Sequence, residues 1–178
     1  MDDFLSLTSL QNNGSRDNIV GTVLYLRILG SIHDEIADVI ISRSTAETKR
    51  NTELKDIMRA RDVDKIAASW EEILSQWRGQ NDVVVEMCLK VIGKWVSWID
   101  ISLIVHRGTL NILFELVGRV NPGNGEDKVR DAAIDTFTEI VAKKMKPADK
   151  IGMIVFLNLG TVISQLIASP ALHDLRTT

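Results

Sequence analysis

Four lysines, Lys143, Lys144, Lys146 and Lys150, fall within eight residues of one another, and Lys90 and Lys94 stand one helical turn apart. Ammonium groups so spaced can hold phosphate oxygens as point charges. Each also has a plainer use. Cations favour the C-terminal end of a helix by a few tenths to about 1 kcal/mol. That accounts for Lys143 and Lys144 and leaves Lys146 and Lys150 over. Glu86 and Lys90 form a correctly oriented i,i+4 pair, which leaves Lys94 with no obvious partner. Asp34, Glu35 and Asp38 pose the opposite question. Acids near a helix C-terminus oppose its dipole, so a basic partner surface could favour them, although a solvated face is the commoner explanation.

Other chemistry lacks its residues. His33, His106 and His173 are scattered, with no HExxH or CxxC spacing to hold a metal. Cys88 lies on an apolar stripe with no histidine nearby in sequence, a poor setting for a nucleophile. Gly123 and Gly125 follow no predicted strand and precede no GK[ST], so they form no phosphate loop. Trp70, Trp77, Trp95 and Trp98 recur at helical spacing and read as core, not as base-stacking platforms. No enzyme and no cofactor are expected. The net charge of −3 divides into 10 basic and 13 acidic residues before Gly79, and 11 of each after it. No global basic field would hold a polyanion, so any such site must be a local cluster. A single cysteine excludes an internal disulfide and suits a reducing compartment. The start at Met1-Asp2-Asp3 does not read as a secretory signal. The apolar stretch 151–168 is interrupted by Gly152, Asn158, Gly160, Thr161, Ser164 and Gln165. It reads as a core helix, not a membrane span.

Helices must position these charges. Apolar residues recur with helical period almost throughout, and no segment sustains two-residue alternation. Helices are predicted over 17–42, 45–61, 62–78, 82–99, 101–120, 126–145 and 147–168. Residues 1–16 read as the cut end of a preceding repeat with its loop, and 169–178 as a frayed tail. In the first helix Val20, Leu24, Ile28, Ile32, Ile36 and Val39 share a face. Ser44 with Glu47 fits a capping box, Gly79 a left-handed C-cap, and Pro147 a first helical position. Asp100 fits the N-cap of a short apolar turn. Antiparallel pairs repeating at about forty residues predict an all-α chain, an α-α superhelix of roughly three to four pairs. The run Asp127-Lys128-Val129-Arg130-Asp131-Ala132-Ala133 resembles the DxxVRxxA second helix of a HEAT repeat. An ordinary helix bundle is the alternative.

Several stretches together resemble exportin-t, the tRNA nuclear exporter of the importin-β superfamily. They are Leu26-Arg27-Ile28-Leu29, Ile36-Ala37-Asp38, Arg50-Asn51-Thr52 with Leu54-Lys55-Asp56 and Met58-Arg59, and Trp70 with Ile73-Leu74. The corner VSWIDISLI at 96–104 is the most specific. Glu139-Ile140-Val141, Lys144-Met145 and Pro147-Ala148-Asp149-Lys150 are similar too. The chain departs from the pattern at His33, in a lengthened loop at 120–127, and in the apolarity of 151–168.

The resemblance implies an internal piece of the N-terminal half of a HEAT solenoid. It also implies a full-length receptor that carries mature tRNA with GTP-bound Ran, passes the nucleoporins of the nuclear pore, and shuttles between nucleus and cytoplasm. The family's main Ran contacts would lie in earlier repeats. The second helix of each pair would line the concave face, with Lys90, Lys94, Lys128, Lys143 and Lys144 as phosphate contacts and Arg107 a weaker one. Asp34, Glu35 and Asp38 would be candidates for the GTPase. A HEAT scaffold that binds proteins without RNA, or another exportin-like receptor without RNA binding, is the alternative.

Overall fold

The computed structural model describes residues 2–10, 14–119, 126–158, 160 and 164. All regular structure among them is helical: α1 (Asp2–Ser6), α2 (Ile19–Ile36), α3 (Thr45–Arg61), α4 (Val63–Trp77), α5 (Asp82–Val96), α6 (Arg107–Val117), α7 (Lys128–Ala142) and α8 (Pro147–Leu157), with a 3-10 turn at Ile101–Leu103. The local signals act as their chemistry requires. Ser44 and Glu47 close a reciprocal capping box at α3. Gly79 follows α4 at φ 76°, and Asn18, Asn81 and Asp127 cap α2, α5 and α7 with their side-chain oxygens.

The helices form two layers. In one, α2 packs on α5 and α5 on α7; in the other, α4 packs on α6, with α4 beneath α5 and α6 beneath α7. Side-chain bonds give the directions. Leu29 and His33, late in α2, meet Trp95 at the end of α5 and Trp98 just beyond it. The hydroxyl of Thr136 in α7 donates to Leu89 O of α5 at 2.9 Å. The helices α2, α5 and α7 therefore run parallel, one row of a stacked-pair solenoid. Arg119 ties the start of that row, holding both carboxylate oxygens of Asp82 at 2.9 and 2.7 Å. Its Nε stands 3.3 Å from Asp127.

The corner 96–104 is the hub of the core. Trp95 is fully buried and donates to Leu29 O at 3.0 Å. Its ring meets Trp70 edge-on at 5.6 Å and Trp98 at 4.7 Å. Such ring pairs contribute about 0.5–1.5 kcal/mol beyond their buried area. Arg59 of α3 donates to Trp98 O at 2.8 Å and lies over the Trp98 ring. Cys88 is buried beneath this cluster, and burial pushes its thiol well above the usual range. The four tryptophans are all core residues.

Several boundaries differ from those read in the sequence. The helix expected over 17–42 stops at Ile36. There Arg43 donates to the carbonyls of Asp34 and Asp38, and the Asp38 carboxylate accepts from Ile40 N at 2.8 Å, turning the chain. The face expected to be buried is largely open. Val20, Leu24 and Val39 are exposed, while Tyr25, Leu26, Leu29, His33 and Ile36 enter the core. The segment 101–120 is not one helix. Asp100 accepts from Ser102 N and Ser102 Oγ, closing a single 3-10 turn, and α6 restarts after an extended His106. The second helix of the last pair ends at Ala142, not 145. For 147–168, α8 accounts for Pro147–Leu157; most of the remainder, the loop at 120–125 and the tail 169–178 lie outside the described residues. No helix among the described residues is long and apolar enough to cross a membrane.

Candidate functional site

Because α5 buries Val85, Leu89, Ile92, Trp95 and Val96, the positions between them, Glu86, Lys90 and Lys94, must line its open edge. Lys90 Nζ is 2.6 Å from Glu86 Oε1. Lys94, which has no partner in local sequence, reaches Asp34 of α2 at 2.7 Å. Both lysines line a cleft of about 440 Å³ between the end of α2, α5 and α7. Its floor is Gly93, Ala132 and Thr136. Its rim carries Asp38, Val39 and Ile40 on one side and Asp135 and Glu139 on the other. His33 borders it from below; burial lowers its imidazole pKa, and its Nδ1 accepts from Trp98 Nε1 at a long 3.4 Å.

The six cations picked out in sequence do not form one patch. Lys143 Nζ turns inward and donates to Val96 O at 2.7 Å and Ile99 O at 2.9 Å. Burial pushes its pKa below that of an ordinary lysine. Lys150 is engaged in the same way, on Val141 O and on Lys143 O. Lys128 and Lys144 are exposed, one at the start of α7 and the other two residues past its end, with about 21 Å of helical rise between those ends. Arg107 begins α6 in the other layer. Of the acids, Asp34 pairs with Lys94, Glu35 pairs with Arg50 at 2.8 Å, and Asp38 holds the turn after α2. Their position near a helix end is thus compensated from within the chain.

Sequence reasoning missed two features. One is the pair Asp135 and Glu139, which make no ion pair or side-chain hydrogen bond among the described residues. The other is the turn that holds Val39 and Ile40 in solvent, 95% and 89% exposed. The signal available was a β-branched run, Val39-Ile40-Ile41, that suits a helix poorly. Among the described residues no group of histidine, cysteine or carboxylate side chains could hold a metal ion.

A parallel row of helices with charged edges and an open cleft has the form of a binding surface. Residues 1–137 match the Exportin 1-like protein family. The chain belongs to that family. Exportin-T of Botryotinia fuckeliana and Exportin-T of Sclerotinia sclerotiorum are each 71% identical to it over 176 residues, 99% of the chain. Exportin-T of Neurospora crassa is 60% identical over 178 residues. This exportin-like chain spans only 17% of the length of each of these relatives. Most of the departure noted at 120–127, in the connection from α6 to α7, lies outside the described residues.

Proposed function

We propose that this chain is a segment of a nuclear export receptor that carries tRNA together with GTP-bound Ran. The observation that supports it is the 71% identity to proteins named Exportin-T across nearly the whole chain. The segment's part is to bind, not to catalyse. The tRNA would be held by shape and phosphate backbone, and the receptor would shuttle between nucleus and cytoplasm through the pore.

The geometry narrows the cations suited to phosphate. Lys128 and Lys144 are exposed and unpaired among the described residues. Lys90 and Lys94 could join them only by leaving Glu86 and Asp34. Lys143 Nζ is engaged by backbone carbonyls, and Arg107 begins a helix of the other layer, so neither is favoured for phosphate. The test is tRNA binding by the full-length receptor with GTP-bound Ran, with and without Lys128→Glu and Lys144→Glu. Weaker binding is expected, with a salt slope reduced by about one for each phosphate that a replaced lysine had neutralised. An unchanged slope would refute the assignment. A protein-only scaffold is the second reading, favoured by Asp135 and Glu139, which no cation answers among the described residues; it requires that the full-length receptor bind no tRNA at all.

A further inference from the structure

The cleft between the end of α2, α5 and α7 carries a charge pattern of its own. Along α5 each cation is already matched, Lys90 by Glu86 and Lys94 by Asp34. Along α7 Asp135 and Glu139 stand at i,i+4 with no cation between them. A like-charged pair at that spacing destabilises a helix unless a cation answers it. Asp38, across the cleft, adds a third carboxylate. An anion entering here would meet unmatched negative charge, whereas a cation would find carboxylates on both walls.

The second observation is apolar. Arg43 and Asp38 pin the turn after α2, so Val39 and Ile40 are held out by structure, almost completely exposed. Covering side chains of that size takes apolar surface out of water, which favours a partner that supplies the cover. Between the two walls the floor is small and largely apolar, Gly93 and Ala132. A space of about 440 Å³ takes a few side chains.

We infer that this cleft docks a basic, amphipathic protein segment. Its aliphatic side chains cover Val39 and Ile40 above the Gly93–Ala132 floor, and its lysines or arginines meet Asp38, Asp135 and Glu139. Charge complementarity selects such a segment over nucleic acid. The inference does not rest on the tRNA reading, since a receptor that carried no RNA would present the same cleft.

A fluorescently labelled 18-residue peptide of alternating Leu-Leu and Lys-Lys pairs is a suitable probe, titrated against the 178-residue chain and read by anisotropy. Hydrogen exchange locates where it sits. Protection is expected at 37–41, along the exposed edge of α5 and at 132–139. The double variant Asp135→Lys/Glu139→Lys, both at exposed positions, is expected to weaken binding at least tenfold. Val39→Ser/Ile40→Ser is expected to weaken it several-fold while leaving the salt dependence in place. A peptide with Glu in place of Lys is expected not to bind. Undiminished binding by the charge-reversed variant, with its circular dichroism unchanged, would overturn the inference, as would protection elsewhere on the chain. So would labelled tRNA occupying the cleft, seen as protection at the same segments that Lys90→Glu/Lys94→Glu abolishes.

Discussion

Lys143 shows how a single ammonium can close a helix end and a corner together. The last carbonyls of a helix have no partner within it. Here Val96 O, at the end of α5, and Ile99 O, in the corner beyond, both accept from Lys143 Nζ. Lys150 then takes Val141 O and Lys143 O at the end of α7. Replacing Lys143 by Met keeps the aliphatic stem and leaves two part-buried carbonyls without their donor. We expect a loss of about 1–3 kcal/mol, read from urea unfolding midpoints. Lys144→Met, at an exposed position with no partner among the described residues, is expected to stay within about 0.5 kcal/mol of the parent. Equal effects of the two would remove the structural role. This distinction could not be read in the sequence, where Lys143 and Lys144 are neighbours of one type. The partner of Lys143 lies 47 residues away, and the Asp34 that answers Lys94 lies 60 residues away. Local spacing carries no trace of either.

At the scale of elements, signals that act over a few residues are legible. The capping box at Ser44, the cap at Asp100 and the left-handed Gly79 each depend on residues within a few positions of one another. The helices they bound can therefore be read from sequence. The end of α2 cannot, because Arg43 stops it from outside the helix. The buried face of α2 departs from expectation for a related reason: the helix is apolar on two sides, and periodicity alone cannot say which side meets α5. Its glycines show the same asymmetry. A Cβ at Gly30 would meet nothing within 4 Å, whereas one at Gly21 would collide with the Leu7 carbonyl. That close approach, with Asn18 donating to the same Leu7 carbonyl, seats α2 against the chain that follows α1. Gly30→Ala is expected to stabilise by about 0.5–1 kcal/mol through helix propensity. Gly21→Ala must displace backbone and is expected to destabilise by about 1–3 kcal/mol. Thermal unfolding of the two variants checks both signs.

For the whole molecule the decisive fact is that the row α7–α5–α2 has an open side. Beyond α2 lies an apolar groove of about 620 Å³ shared with α3, lined by Leu24, Ile28, Ile32, Leu54 and Met58. At the other end α8 exposes Ile151, Val155 and Phe156. In a solenoid each pair buries its face only against its neighbours, and the chain spans 17% of the length of its relatives. Surface of this kind on an isolated chain drives association. The two faces differ, and contact of the α2 face of one copy with the α8 face of the next would be head-to-tail, which does not close into a symmetric dimer. Sedimentation velocity on the 178-residue chain is therefore expected to show an average mass that climbs with concentration without a plateau at two copies. Leu24→Glu with Leu54→Glu places like charges in the groove and is expected to return the chain to a monomer. Because both positions are solvent-exposed, helical content should be unchanged. A dimer that persists in the double variant would place the contact elsewhere. A parent chain that stays monomeric throughout would mean that α2 and α8 tolerate their exposure, and that the repeat stack is stable without neighbours.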